Sequence, residues 1–202
     1  MNGFFKAAAA ALLLVAGSAH AATAWDEGLD GDLSGDPLAP TAVTFAEGVN
    51  SVNGSMSSLG DTRDYLTFTI PDGQQLVGIL LQQYMDLDTG GPGNRGFYAI
   101  SAGASSEIPS GGNPDAFLGG AHLDPFPAGT DLLARLTTDS LTGTGVTAPL
   151  GAGTYTFLVQ QTGPQLTEYS LDFIVAPVPV PAAVWLLASG LVGLAGLRRR
   201  RA

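Results

Sequence analysis

The chain has 202 residues, no cysteine and a formal net charge of −10, with 18 acidic residues against 8 lysines and arginines. All 18 acidic residues lie in residues 22–177, where Arg63, Arg95 and Arg135 are the only cationic residues, so this segment has a formal charge of −15. Such a surface repels phosphate groups, which excludes nucleic-acid binding. The lack of cysteine excludes disulfides and thiolate metal sites.

Residues 1–21 have the pattern of a signal peptide. A short segment with one positive charge, Lys6, precedes the apolar residues 7–16 and a small-x-small cleavage box that contains Ala19 and Ala21. We expect cleavage after Ala21, with Ala24 as the alternative. A retained anchor is the other interpretation, but ten apolar residues are too few to span a bilayer.

An acidic lead segment follows at residues 22–40. Glycines interrupt its carboxylates, and such loops can wrap around a calcium ion, which prefers oxygen ligands. The candidate calcium ligands are Asp26, Glu27, Asp30, Asp32 and Asp36. Their spacing does not match the helix-loop-helix calcium signature. The alternative is a solvated acidic segment that leads into the first strand.

Short β-strands are expected through the rest of the domain, at residues 41–46, 64–70, 75–84, 96–101, 116–121, 132–136, 153–161 and 167–175. Residues 64–70 and 167–175 alternate most regularly, which places Leu66, Phe68 and Ile70 on one face. We expect a turn at 71–73 and a hairpin turn at 162–165. The fold class is therefore all-β: a single antiparallel β-sandwich, jelly-roll-like, over residues 41–176.

The catalytic motifs in this domain are weak. Residues 91–96 satisfy the G-x-G-x-x-G pattern, but a strand-like sequence follows where a dinucleotide site needs a helix. His122 is the only histidine of residues 22–177, and no sequence feature brings a nucleophile near it. We predict no catalytic residues and no enzyme activity. A secreted hydrolase that uses His122 or Asp88 is kept as an alternative.

The tail, residues 177–202, has three parts. Val178, Pro179, Val180, Pro181 and Ala182 form an extended Pro-x-Pro motif, residues 182–197 are uncharged, and the cluster Arg198, Arg199, Arg200 and Arg201 follows. A helix over 182–197 would be about 24 Å long, against roughly 30 Å of bilayer hydrocarbon. The arginines would act as a stop-transfer signal and stay cytoplasmic, with the domain outside.

This tail resembles the PEP-CTERM class of sorting signals, specifically the VPLPA variant, which exosortases process in Gram-negative bacteria. The match continues beyond the proline motif, through Ala183, Trp185, Leu186, Ser189, Gly190, Leu191, Gly193, Leu194, Gly196 and Leu197. Val180 departs from the pattern, since the variant usually has Leu there. The alternative is an ordinary single-pass anchor whose glycines pack against another helix.

A second and weaker resemblance covers roughly residues 49–175. The segments 61–76, 153–157 and 169–173 are similar to bacterial pre-peptidase C-terminal domains. That resemblance implies a β-sandwich that serves as a binding or localisation module without catalysis of its own. The loops at 89–93 and 111–115 depart from the family pattern.

Together these features predict an exported protein of a Gram-negative bacterium. Its partners would be signal peptidase, the inner membrane, an exosortase-like membrane peptidase, and exopolysaccharide or other matrix components. After a transient membrane stage with the N-terminus outside, the protein would reach the cell surface or extracellular matrix as a structural or adhesive module. No cofactor is expected apart from the calcium considered above. The first alternative is a calcium-dependent carbohydrate-binding module.

Overall fold

The computed structural model describes residues 21–57, 60–106, 117–161, 163–179 and 186–187. Residues 1–20 of the expected signal peptide lie outside this part of the chain. So does the expected transmembrane helix at 182–197, apart from Leu186 and Leu187, which are helical. Among the described residues, no helix combines the length and apolar character needed to cross a membrane.

The domain is mostly β, with two five-stranded sheets. The first sheet has the order β1 (Ala22–Asp26), β3 (Gly48–Met56), β10 (Thr167–Pro177), β5 (Gln74–Asp86) and β8 (Thr130–Asp131). The second has the order β2 (Thr41–Ala42), β4 (Arg63–Ile70), β9 (Gly153–Gln160), β6 (Gly96–Ala102) and β7 (Gly119–Leu123). Within the described part of the domain there are also two short helices, α1 (Glu27–Asp30) and α2 (Leu132–Thr138).

Most neighbouring strands are antiparallel, as predicted, but two pairs are not. β1 runs parallel to β3, and β2 runs parallel to β4. Each of these edge strands precedes the rest of its sheet in sequence and reaches its neighbour through a connection longer than a hairpin turn. The sheets are therefore mixed at one edge each.

The inner faces of the two sheets share one hydrophobic core. Alternate residues of β4 point into it, and Leu66, Phe68 and Ile70 are at most 2% exposed, as their spacing predicted. Phe157 of the second sheet meets Phe173 of the first edge-on, with ring centroids 5.4 Å apart. This contact joins the central strands β9 and β10, so the two sheets form the layers of a sandwich.

The prediction of a hairpin between β9 and β10 is wrong. β9 pairs with β4 and β6, whereas β10 pairs with β3 and β5 in the other sheet. The connection at 161–166 therefore crosses from one sheet to the other. Gly and Pro indicate that a chain turns, but they do not distinguish a turn within a sheet from a crossing between sheets. The predicted turn at 71–73 is present, and it also connects strands of different sheets, β4 and β5.

The strand predicted at residues 132–136 is also wrong, because these residues belong to α2. The Asp131 side chain accepts hydrogen bonds from the backbone N–H groups of Leu133 and Ala134, which caps the helix. Leu132, Leu133 and Leu136 are buried at helical spacing. That spacing could have indicated a helix in the sequence, but a helix of only two turns contains too few apolar residues for a clear periodicity.

The acidic lead segment is packed against the sandwich. β1 pairs with β3, Leu33 is 1% exposed within the core, and Ser34 forms an isolated bridge with Tyr65 of β4. The first strand of the domain is therefore β1, upstream of the predicted strand at 41–46, of which only Thr41–Ala42 is regular. This packing brings Glu27 and Asp32 of the lead segment close to Asp64, at the start of β4.

Candidate metal centre

Three carboxylates meet where the lead segment packs against the sandwich. One carboxylate oxygen from each of Glu27, Asp32 and Asp64 lies within 4.8 Å of the other two. Glu27 is in α1, Asp32 is in the loop after it, and Asp64 is the second residue of β4. Among the described residues this is the one group of three or more His, Asp or Glu side chains close enough to share a metal ion. We call it the carboxylate cluster.

Glu27 is held in place by backbone hydrogen bonds from two elements. Asp26 caps α1 by accepting a hydrogen bond from Gly28 N at 2.9 Å. The Glu27 carboxylate then accepts from Leu33 N at 3.0 Å through Oε1 and from Ser55 N at 2.7 Å through Oε2. Glu27 thus bridges its own loop and β3.

Asp64 is the buried member of the carboxylate cluster. Its side chain is 0% exposed. Oδ2 accepts a hydrogen bond of 2.7 Å from the Tyr169 hydroxyl on β10, whereas Oδ1 is buried and has no hydrogen-bond partner. A buried carboxylate oxygen without a partner is costly in the absence of a proton or a cation.

Gly54 gives Tyr169 the room to reach Asp64. These two residues are cross-strand partners in β3 and β10. A Cβ atom on residue 54 would lie 2.3 Å from the Tyr169 hydroxyl oxygen, which is closer than any real contact of this kind. The glycine is therefore required by the path of the tyrosine side chain.

The electrostatics of the carboxylate cluster favour a bound positive charge. Burial, followed by the negative charge of Glu27, raises the pKa of Asp64 to about 9. Burial also raises the pKa of Glu27, and it raises the pKa of the nearby Asp61 to about 6. The two ion pairs of the described residues, Arg95–Asp124 and Arg135–Asp139, lie elsewhere.

Of the five predicted calcium ligands, the structure brings together Glu27 and Asp32. The other three take part in local hydrogen bonds. Asp26 caps α1, Asp30 accepts from Asp26 N, and Asp36 accepts from Leu38 N. They are not members of the carboxylate cluster.

Asp64 was missed at the sequence level, although a signal for it existed. It precedes Leu66, Phe68 and Ile70 at the same two-residue spacing, which places its side chain on the core face of β4. A charged residue on a core face is rarely buried without a partner. The identity of its neighbours could not be predicted, since they come from α1 and its loop.

A polar cleft of about 340 Å³ adjoins the carboxylate cluster. Its walls come from the end of β1, from α1 and from strands β3, β5 and β10, and its polar lining includes Asp26, Glu27, Asn53, Ser55, Gln83 and Glu168. Glu27 belongs to both the cleft and the cluster. The cleft therefore presents amide, hydroxyl and carboxylate groups beside the candidate metal centre.

His122 and Asp88, the residues of the hydrolase alternative, lie in different surroundings. His122 is on β7 and lines a pocket of about 320 Å³ together with Arg95, Asp124 and Arg135. Asp88 follows β5, where its Oδ2 accepts a hydrogen bond from Leu166 N at 3.3 Å. Asp88 is not among the residues that line the pocket at His122.

The residues predicted to be processed lie at the two ends of the described chain. Ala21 is exposed and directly precedes β1, whereas Ala19 lies outside the described residues. Val178 directly follows β10, and its N–H donates to Gly73 O at 2.8 Å. Pro179 is the last described residue of the motif, so Val180, Pro181, Ala182 and the arginines 198–201 lie outside the described part.

Comparisons with family models, with curated proteins and with solved structures gave no match to this chain.

Proposed function

We propose that this chain is an exported surface or matrix protein of a Gram-negative bacterium, sorted through its tail. The observation that carries the proposal is the adjacency of sandwich and tail. β10 ends at Pro177, and the expected sorting motif begins at the next residue, Val178. Cleavage within the motif would leave every strand of the sandwich intact, as a release signal requires.

In this mechanism the chain is a substrate, and the catalytic residues belong to its partners. Signal peptidase would cut after Ala21, which leaves β1 complete from Ala22. Residues 182–197 would hold the protein in the inner membrane while Arg198–Arg201 remain cytoplasmic. An exosortase-like peptidase would then cut near Val178–Ala182 and pass the domain to the surface or matrix.

The released domain would be a non-catalytic, jelly-roll-like sandwich with a structural or adhesive role. Its formal charge of −15 over residues 22–177 suits a hydrated matrix, because a strongly charged surface keeps the protein soluble and attracts cations. Exopolysaccharide is the partner that we propose for it.

A double substitution in the tail, Pro179→Ala with Pro181→Ala, tests the sorting role. We expect the variant to accumulate uncut in the membranes of a host that carries an exosortase, since the extended site would be lost. The control is Pro164→Ala, in the connection between β9 and β10, which should be processed like the wild type. Release of the double variant at the wild-type rate would contradict the proposal.

A second candidate function is a calcium-dependent carbohydrate-binding module. The polar cleft favours it, because hydroxyl, amide and carboxylate groups beside a cation are the groups that bind sugars. The test is a pull-down of the full-length protein, in nonionic detergent, on exopolysaccharide from its host. Equal retention in calcium and in chelator would exclude a calcium-dependent mode.

A further inference from the structure

We propose that Glu27, Asp32 and Asp64 bind one Ca²⁺ ion, which fastens the lead segment to the sandwich. This inference does not depend on the sorting role of the tail. It rests on the arrangement of the three side chains and on the buried, unpartnered Oδ1 atom of Asp64.

The donor set of the carboxylate cluster matches the ligands that calcium prefers. Calcium binds six to eight oxygen atoms at about 2.3–2.6 Å, so oxygens that share an ion lie up to about 5 Å apart. The three cluster oxygens lie within 4.8 Å of one another. The carboxylates would supply part of the coordination shell, and water would complete it.

One oxygen of Asp64 is buried without a partner. The side chain is fully buried and its Oδ1 has no hydrogen-bond partner, while Oδ2 is fixed by Tyr169. A carboxylate in this position needs a positive charge or a proton. Asp32 is exposed, so it offers a route from solvent by which an ion could reach Asp64.

A proton competes with a cation for the carboxylate cluster. Three carboxylates at this distance repel one another, and a proton on Asp64 would relieve only part of that repulsion. A divalent cation would interact with all three groups at once. Asp61 adds a fourth negative charge nearby, since it interacts electrostatically with both Asp32 and Glu27.

Calcium at this position would link four elements of the fold. Glu27 already bonds to β3 through Ser55, Asp32 belongs to the loop after α1, and Asp64 connects β4 to β10 through Tyr169. The ion would therefore hold α1 and its loop, together with β1 before them, against both sheets. Its removal should loosen this end of the domain first.

The test uses the full-length chain in nonionic detergent, with Ca²⁺ alone as the added ligand. Affinity is measured by calorimetry and stability by thermal unfolding, for the wild type, Asp32→Asn and Asp64→Asn. The matched control is Asp36→Asn, which removes the same charge from the same segment outside the cluster. Terbium luminescence provides a local readout. The Tyr169 hydroxyl donates a hydrogen bond to the proposed ligand Asp64, so this tyrosine is close enough to sensitise a bound lanthanide ion.

We expect Ca²⁺ to raise the unfolding temperature of the wild type and of Asp36→Asn. Its affinity should fall roughly tenfold or more in Asp32→Asn and Asp64→Asn, since even outer-shell changes at metal sites cost roughly 10–100-fold. Magnesium should stabilise less, because it demands a smaller and more regular site. Asp32 is exposed, so Asp32→Asn keeps the test valid even if Asp64→Asn does not fold.

In chelator, Asp64→Asn should be at least as stable as the wild type, because an amide can be buried without a bound proton or cation. This result would separate a ligand from a residue that is only structural. The proposal is overturned if calcium has no effect on the wild type, if all three variants respond to calcium equally, or if magnesium stabilises as strongly as calcium.

Discussion

At the scale of single residues, Asp64 links the stability of the domain to its ionic surroundings. It is buried between β4 and β10, and the charged groups that act on it, Glu27, Asp61 and Asp32, are all acidic. The folded state must therefore either neutralise Asp64 or bear the cost of its charge. This balance gives a pH dependence that can be measured in the absence of divalent cations.

We expect the free energy of unfolding to fall as the pH rises from about 5 to 8 in chelator. The pKa of Asp64 is raised to about 9 in the folded state, from an ordinary value of 3.8. A carboxyl with a raised pKa contributes its full stability below the unfolded pKa and loses it as the pH rises through the folded value. Glu27 and Asp61 act in the same direction.

The measurement is chemical unfolding of the full-length chain, in nonionic detergent, at several pH values. One pKa unit corresponds to about 1.4 kcal/mol, so a loss of a few kcal/mol is expected for the wild type. Asp64→Asn should lose clearly less over the same range. A wild-type stability that rises with pH, or equal slopes for the two proteins, would show that Asp64 is not the buried acid described here.

Gly54→Ala tests the contact that positions Asp64. The added methyl group would overlap the Tyr169 hydroxyl, so we expect a loss of about 1–3 kcal/mol, typical of overpacking. The control is Gly151→Ala, where a Cβ atom would meet nothing within 4 Å. Thermal or chemical unfolding of both variants gives the comparison. Equal stability of the two would mean that Tyr169 does not need the space at Gly54.

At the scale of elements, the N-cap residue of α2, Asp131, contacts both α2 and the neighbouring strand β5. Asp131 Oδ1 accepts hydrogen bonds from Leu133 N at 2.9 Å and from Ile79 N of β5 at 3.2 Å. Asp131→Ala should therefore cost about 1–2 kcal/mol, the upper range for a lost helix cap. The measurement is the midpoint of chemical unfolding.

Asp139→Ala is the matched control for this cap. Asp139 lies at the other end of α2 and forms an exposed ion pair with Arg135. Such pairs contribute about 0.5 kcal/mol or less. A larger loss for Asp139→Ala than for Asp131→Ala would contradict the account of how α2 is held.

The sequence predicted individual strands better than their pairing. The alternation of apolar and polar residues in β4 and β10 reflects which side chains face the core, and such a two-residue period can be detected within a single strand. Pairing depends on contacts between distant segments, so the crossing at 161–166 and the parallel strand β1 were not predicted. The candidate site was predicted only in part for the same reason. Glu27 and Asp32 are close in sequence, whereas Asp64 comes from β4 and meets them only in the folded chain.

At the scale of the whole molecule, the proposed function assigns different tasks to the domain and to its flanking segments. The sandwich begins at Ala22 and ends at Pro177, and these limits coincide with the expected cleavage regions on either side. Signal cleavage after Ala24, the alternative, would remove three of the five residues of β1. The predicted cleavage after Ala21 would instead leave β1 intact.

The central claim is that the tail is a processed sorting signal, and intact mass tests it most directly. The protein is recovered from the culture medium and from the membranes of its own host, with and without the exosortase-like peptidase. We expect a species that begins at Ala22 and ends between Val178 and Ala182, and this species should disappear when the peptidase is deleted. A membrane-bound species that still ends at Ala202 in the intact host would identify the tail as a permanent anchor and contradict the account.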